Sequence, residues 1–165
     1  MNKKISLLLL DVDGVQTDGG LYYSDDGGEF KKFNVRDGIA IKRAIALGVE
    51  VAIISHSLNN RMIEQRCRTL GITRIYVGLR DKLEVYDEWL DELNVRVEET
   101  AFIGDDVNDH KIMKRVGLSA CPSDAVPAIK GIASVVLKAR GGAGVVREFV
   151  DMFIMSDEEW LESVK

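Results

Sequence analysis

The 165-residue sequence has little of what marks secreted, membrane or nucleic-acid-binding proteins. It contains only two cysteines, Cys67 and Cys121, far apart and outside any metal-binding spacing, so we expect neither a disulfide framework nor a zinc site. No apolar run approaches the roughly 20 residues of a membrane span, and the N-terminal run, residues 5–10, ends at Asp11. Lysine and arginine total 22 against 27 acidic residues, and the net charge of -5 argues against nucleic acid as a partner. These absences predict a cytoplasmic protein that binds neither membranes nor nucleic acid.

No linker or low-complexity stretch divides the chain, and its composition, 30% charged and 46% hydrophobic, fits one globular domain over residues 1–165. Apolar runs rich in β-branched residues alternate with segments of helical period, a pattern typical of an α/β domain. Because the apolar runs lack strict alternation, we expect a Rossmann-like parallel sheet with helices on both faces. Strands are predicted at residues 5–10, 51–54, 74–77, 101–103 and 134–137, and helices at residues 39–47, 60–70, 82–93, 109–116 and 144–153. The acidic tail, about residues 155–165, fits either a short helix or a frayed end.

One segment, about residues 20–34, interrupts the first connection from strand to helix. Two short strand-like runs, residues 21–23 and 29–33, flank an Asp-Gly turn, which is typical of a β-hairpin. An isolated hairpin is only marginally stable, and this one carries several aromatic side chains. It must therefore pack either on its own domain or on a neighbouring subunit.

Acidic side chains follow two of the predicted strands. Asp11 and Asp13 come directly after residues 5–10, and three more aspartates, Asp105, Asp106 and Asp109, follow residues 101–103. Because ligands of an open α/β sheet bind beyond the carboxyl ends of the strands, these carboxylates are expected to meet there. They would repel one another unless a cation neutralised them, and Mg²⁺ accepts carboxylates together with water and phosphate oxygens. A Mg²⁺-dependent phosphoryl site is the leading hypothesis, although aspartates also serve turns and helix caps.

Two other polar residues lie where this hypothesis needs them. Ser55 ends the predicted strand 51–54, where its hydroxyl could hydrogen-bond a phosphoryl oxygen. Lys82 opens the predicted helix 82–93, and a cation at a helix N-terminus opposes the helix dipole. That local cost indicates a role for Lys82 outside its own helix.

Together these residues resemble the haloacid dehalogenase superfamily of phosphohydrolases. The resemblance rests on Asp11-Val12-Asp13-Gly14-Val15, on Ser55, on Lys82 and on Gly104-Asp105-Asp106-x-x-Asp109. The segments DVDGVQTDGG at 11–20, FNVRDG at 33–38 and GGAGVVRE at 141–148, together with Asp81-Lys82, further resemble the capless branch of that superfamily, over about residues 5–153. This resemblance implies a HAD-like α/β fold and a phosphatase of 3-deoxy-2-ulosonic acid phosphates, with an eight-carbon acid favoured over a nine-carbon one.

The resemblance also implies a mechanism. Asp11 would attack phosphorus and form an aspartyl-phosphate, while Asp13 would act first as general acid and then as general base. Ser55 and Lys82 would stabilise charge on the phosphoryl oxygens.

A metal site belongs to the same expectation. Mg²⁺ would be held by Asp11, by the main-chain carbonyl of Asp13 and by Asp105. Asp106 and Asp109 either tune the metal through its ligands, without binding it themselves, or serve only as structural caps.

Substrate recognition in the branch involves a homotetramer formed through the hairpin, in which a neighbouring subunit helps to close each open site. The candidate substrate-binding residues are Asn34, Arg36, Asp37, Gly38, His56 and Arg66. The fork of Arg66 would suit the carboxylate of a sugar acid. The chain departs from the branch here, since His56 stands where glycine is usual and Glu64-Gln65-Arg66 replaces a run of arginines. His56 fits a substrate contact and a solvated turn equally well.

Alternatives from other classes remain. The chain could be a catalytically silent oligomerisation module, like the carboxy-terminal domain of animal CMP-sialic acid synthetase, although the presence of both Asp11 and Asp13 argues against it. A phosphomutase would need a cap to exclude water, and no insertion of that size is visible.

Overall fold

Six parallel strands form the central sheet of the protein, which is described here by a computed structural model for residues 4–58 and 61–162. Their order across the sheet is β5 Arg74–Val77, β4 Glu50–Ser55, β1 Leu7–Leu10, β6 Thr100–Ile103, β7 Leu118–Cys121 and β8 Val135–Val136. Every recorded pairing within this sheet is parallel. The predicted α/β class is therefore confirmed, and β1 lies between β4 and β6, with the residues that follow all three strands at one edge.

Helices cover both faces of this sheet, as the sequence predicted. They are α1 Val35–Ala46, α2 Arg61–Leu70, α3 Lys82–Leu93, α4 His110–Arg115, α5 Pro127–Lys130, α6 Val145–Phe153 and α7 Asp157–Glu162, with 3-10 turns at Val97–Glu99 and Val107–Asp109. Within β1, Leu8 and Leu10 pack in the core that includes α1, α2 and α6, whereas Leu7 and Leu9 pack in the core that includes α3, α4 and α5. All four leucines are fully buried, and each burial contributes about 1.5–3 kcal/mol.

Several element bounds differ from the predicted ones for identifiable reasons. Helix α1 begins four residues early because the Asn34 side chain caps it, with Oδ1 accepting from the Arg36 amide at 2.8 Å. Strand β7 was not predicted, since its sequence, LSAC, carries little β-branched signal. The predicted start of α2 at residue 60 lies outside the described residues.

The predicted hairpin is present after β1. Strand β2, Tyr22–Tyr23, pairs antiparallel with β3, Glu29–Phe30, and the Tyr22 and Phe30 rings stack at 5.3 Å between centroids. Both strands are shorter than predicted. Much of the hairpin's apolar surface faces solvent within one chain, since Leu21, Tyr23 and Phe30 are 67%, 66% and 53% exposed.

The end of the chain, as far as it is described, forms the short helix α7 on α6. The Trp160 indole donates to Asp151 Oδ1 at 2.6 Å, and the Arg147 guanidinium lies 3.8 Å from the centroid of the Trp160 ring. Within the described ranges, no helix is both long and apolar enough to cross a membrane.

Candidate active site

An open pocket of about 260 Å³ lies beyond the carboxyl ends of β1, β4 and β6. Its lining consists of Asp11, Asp13, Gly14, Gly19, Ser55, His56, Asp105, Asp106 and Asn108. Loops from three neighbouring strands supply these residues, because parallel strands end at one edge. The expected convergence of carboxylates is therefore present.

Lys82 bridges two aspartates beside this pocket. Its Nζ lies 2.9 Å from Asp11 Oδ2 and 2.6 Å from Asp109 Oδ1, and its side chain is 1% exposed. Asp81 caps α3 by accepting from the Leu83 amide at 3.0 Å, which fixes the position of Lys82 at the start of the helix. Although burial works to lower the pKa of Lys82, the carboxylates of Asp11 and Asp109 outweigh it, and the pKa lies above its ordinary value.

Asp11 is buried at the end of β1 and aims its carboxylate into the site. Its Oδ1 accepts from the Val12 amide at 2.7 Å, which leaves Oδ2 beside Lys82. Burial is the main cause that raises the pKa of Asp11 to about 8, and the Asp109 carboxylate adds to it against the opposing effect of Lys82. A second cation nearby would stabilise the charged form of this buried carboxylate.

Asp105 is a second carboxylate of the site whose charged form is disfavoured by its surroundings. Burial first, then the carboxylates of Asp109 and Asp106, raise the pKa of Asp105 to about 7. Within the described residues its Oδ1 is a buried oxygen without a hydrogen-bond partner. Gly14 has a positive φ of 81°, and a Cβ there would lie 2.0 Å from Asp105 Oδ2, so only glycine lets the two loops approach this closely.

These groups fit a hard divalent cation. Asp11, Asp105 and Asp109 each offer a carboxylate oxygen, and in the described residues these oxygens lie within 4.8 Å of one another. Asp109 is already engaged, since Oδ1 contacts Lys82 and Oδ2 accepts from the amide of Asp105 at 2.9 Å. Asp11 and Asp105 line the pocket, whereas Asp109 does not, and Asp105 Oδ1 has no hydrogen-bond partner within the described residues. Asp11 and Asp105 are therefore the carboxylates best placed to give an oxygen to Mg²⁺, which prefers oxygen ligands. Asp109 holds the loop behind them.

Asp13 has a partner that the sequence analysis missed. Lys31 reaches from the hairpin and places Nζ 2.6 Å from Asp13 Oδ1. The Lys31 side chain is 3% exposed, whereas that of Asp13 is 41% exposed. No sequence signal separates Lys31 from its neighbour Lys32, which is exposed.

Ser55 and His56 form the wall supplied by β4. Ser55 is buried at the end of the strand, and its Oγ accepts from the Ser57 amide at 3.4 Å. His56 places Nε2 2.8 Å from the Arg80 carbonyl oxygen and Nδ1 3.4 Å from Asn108 Nδ2. Asn108 is a further pocket residue that the sequence analysis did not name.

The other candidate substrate-binding residues cluster around the start of α1 and do not line this pocket within one chain. Asn34 Nδ2 donates to the Gly142 carbonyl at 3.2 Å, and Arg66 Nη2 donates to the Asn34 carbonyl at 3.1 Å. Gly38 packs against the same guanidinium, since a Cβ there would lie 2.5 Å from Nη2. Arg36 is exposed.

Asp37 is the buried member of that cluster. Its Oδ1 accepts from the Arg147 amide at 2.8 Å, in the first turn of α6, where a carboxylate is favoured by the helix dipole. Burial raises the pKa of Asp37 to about 6, although the backbone amides of Arg147, Val146 and Gly144 act to lower it. A role for this cluster in substrate binding stays a prediction.

Comparisons with known proteins show which family the chain is similar to. Residues 69–149 match the family of haloacid dehalogenase-like hydrolases. The chain is 42% identical over 154 residues to 3-deoxy-D-manno-octulosonate 8-phosphate phosphatase KdsC of Escherichia coli K12, covering 93% of this chain and 81% of the relative. It is also similar to the crystal structure of that phosphatase from Yersinia pestis, with a TM-score of 0.90 and 42% identity over 96% of this chain and 85% of the other. The Moraxella catarrhalis phosphatase, crystallised with magnesium ion, phosphate ion and a KDO molecule, matches with a TM-score of 0.91 and 28% identity over 99% and 93% of the two chains.

Proposed function

The chain belongs to the haloacid dehalogenase-like hydrolases, together with the 3-deoxy-D-manno-octulosonate 8-phosphate phosphatases, and from this membership we propose the reaction and substrate that its site serves. It is a phosphoric monoester hydrolase. The reaction is Mg²⁺-dependent hydrolysis of a 3-deoxy-2-ulosonic acid phosphate through an aspartyl-phosphate. The eight-carbon 3-deoxy-D-manno-octulosonate 8-phosphate is the favoured substrate, and a nine-carbon 9-phosphate is the alternative.

One observation carries the proposal: a buried carboxylate, Asp11, shares an ammonium with Asp109 and lies near Asp105, whose buried Oδ1 has no partner in the described chain. Such an arrangement is costly unless a cation completes it. When bound, Mg²⁺ supplies charge neutralisation between the carboxylates and the phosphoryl group. A silent oligomerisation module would have no need of this costly set of charges.

The residues of the chain divide the reaction between them. Asp11 attacks phosphorus in line and becomes the aspartyl-phosphate, so that hydrolysis proceeds in two steps. Asp13 gives a proton to the leaving alkoxide and then takes one from the attacking water, since the second step reverses the proton demand of the first. Lys82 and the Ser55 hydroxyl stabilise the charge on the phosphoryl oxygens, and Asp109 holds Lys82 in place.

A homotetramer formed through the hairpin belongs to the same proposal. The exposed apolar side chains of Leu21, Tyr23 and Phe30 support it, because large apolar side chains left in solvent within one chain are candidates for burial at an interface. In that assembly a neighbouring subunit would help to close each site, and residues 34–38 and Arg66 would contact the substrate. Arg66 Nε is buried without a partner in the described residues, and a guanidinium fork suits the carboxylate of a sugar acid.

The test is a phosphate-release panel on the purified chain with eight-carbon and nine-carbon sugar acid phosphates and hexose phosphates. We expect the highest kcat/KM for 3-deoxy-D-manno-octulosonate 8-phosphate, loss of activity in EDTA and its return with Mg²⁺. Asp11→Asn should abolish turnover while the fold is kept. Equal turnover of hexose phosphates would contradict the substrate, and indifference to EDTA would contradict the metal.

A further inference from the structure

Three loops of the site meet at His56. The ring lies at the pocket wall, between the Arg80 carbonyl oxygen, 2.8 Å from Nε2, and the Asn108 amide nitrogen, 3.4 Å from Nδ1. Arg80 follows β5 and Asn108 follows β6, so His56 joins the connections after three strands of the sheet. Both His56 and Asn108 line the pocket, whereas Arg80 does not.

The hydrogen bonds determine where the ring carries its proton. A carbonyl oxygen only accepts, so Nε2 of His56 must donate to Arg80. In the neutral ring Nδ1 then has a lone pair, which accepts from the amino group of Asn108. Because the amino group of Asn108 contacts His56, the oxygen Oδ1 of the same amide points away from the ring and can accept another hydrogen bond. In the described part of the chain Oδ1 has no recorded donor.

Both ends of this chain of contacts are fixed. The Arg80 amide donates to the Tyr76 hydroxyl at 2.9 Å, and the Arg80 guanidinium pairs with Glu88. Asn108 lies in the 3-10 turn Val107–Asp109, which Asp106 caps by accepting from the Val107 amide at 2.7 Å. His56 is therefore the side chain of a neighbouring loop that contacts the Asn108 amide.

We propose that His56 is a positioning residue for specificity, which turns the Asn108 carbonyl oxygen toward the substrate so that it accepts a hydrogen bond from a substrate hydroxyl. The inference rests on the proposed function, because a polyhydroxylated sugar acid phosphate supplies that hydroxyl. In the proposed mechanism Asp11 and Ser55 contact the phosphoryl group, and Asn108 is exposed and lines the same pocket. Glycine at position 56 could not orient the amide in this way.

Two conservative variants separate the contacts of the ring. His56→Gln places an amide near the Nε2 position and keeps a donor for Arg80, but it loses the acceptor for Asn108. His56→Asn places an amide oxygen near the Nδ1 position and keeps the acceptor for Asn108, but it loses the donor for Arg80. Asn108→Ala and the double variant His56→Gln/Asn108→Ala complete the set.

The readout is the selectivity ratio, kcat/KM for 3-deoxy-D-manno-octulosonate 8-phosphate divided by kcat/KM for p-nitrophenyl phosphate, which lacks sugar hydroxyls. We expect the ratio to fall about fivefold in His56→Gln and in Asn108→Ala, the value of one neutral hydrogen bond. His56→Asn should keep most of the ratio. The double variant should lose no more than Asn108→Ala alone, because both changes remove one interaction.

Three results would overturn the inference: an unchanged ratio in His56→Gln, an equal loss in His56→Asn, or losses that multiply in the double variant. A general structural role would lower both activities and leave the ratio unchanged. If the wild-type chain hydrolyses p-nitrophenyl phosphate but no sugar acid phosphate, the proposed function fails. The ratio is then measured with the polyol phosphate that the chain hydrolyses best, and the same outcomes decide on His56.

Discussion

Replacing Lys82 with methionine tests how the charges of the site are balanced. Methionine keeps much of the length of the side chain but removes the ammonium that contacts Asp11 and Asp109. Both carboxylates are almost fully buried, so water cannot take over the lost contact. The variant therefore leaves two buried acidic groups without their shared cation.

The structure gives the size of the effect. Removal of one partner from a buried ion pair lowers the free energy of unfolding by about 3–5 kcal/mol. The side chains of Lys82 and Asp109 are 1% and 0% exposed, so solvent does not screen their interaction and the full range applies. A whole domain has only about 5–15 kcal/mol of stability. For a chain of this length we therefore expect Tm to fall by about 6–20 °C in EDTA. Part of this loss should return with Mg²⁺, which supplies another cation to Asp11.

Thermal and urea unfolding in EDTA and in Mg²⁺ measure this effect, with Lys42→Met as the matched control, since Lys42 is exposed on α1. The control should unfold within about 0.5 kcal/mol of the wild type. Activity of Lys82→Met should fall about 100-fold or more, as for loss of one charge-stabilising donor. A Lys82→Met protein as stable as the control in EDTA would refute the account of the site as a set of mutually dependent charges.

Further predictions concern the remaining charges. In EDTA the folded protein binds a proton on Asp11 that the unfolded chain has lost. The contribution of Asp11 to the free energy of unfolding therefore falls as pH rises from 3.8 to about 8. Asp11→Asn should flatten that part of the profile of Tm against pH, and an unchanged slope would contradict it. Mg²⁺ affinity, measured by calorimetry, should rise with pH from below the pKa of Asp105, about 7, to above that of Asp11, because the cation displaces their protons. Lys31→Met removes the ion pair with Asp13, and because Asp13 is partly exposed we expect the free energy of opening the hairpin to fall by about 1 kcal/mol. Limited proteolysis of the hairpin should then be about fivefold faster than in the wild type, and equal rates would contradict this role of Lys31.

The sheet and the acidic edge were predictable because they depend on short stretches of sequence. Asp11 and Ser55 each end an apolar run, and parallel strands bring such ends together whatever the order of the strands. Helix α3 has its predicted bounds because Asp81 caps it. The conflict between Lys82 and the helix dipole was a real signal, since this lysine turns away from solvent to two carboxylates.

Contacts between distant segments could not be predicted in the same way. Lys31 lies 18 residues from Asp13, and its burial depends on how the hairpin folds back, which local sequence does not specify. The contact between Asn108 and His56 joins residues 52 positions apart, and His56 in turn contacts the Arg80 carbonyl 24 positions away. Strand β7 is recognised only by its pairing with β6, because Ser119 and Ala120 give a weak strand signal.

In the proposed reaction Asp11 receives the phosphoryl group and Asp13 supplies the proton transfers. Acetyl phosphate has a leaving group that needs no acid, so Asp13→Ala should still phosphorylate Asp11 but hydrolyse the product slowly. Mass spectrometry of Asp13→Ala treated with acetyl phosphate and Mg²⁺ should find one added phosphoryl group on the peptide that contains Asp11, and none when Asp11→Asn is combined with it. A phosphoryl group on another residue, or none at all while the wild-type chain turns over, would contradict the account.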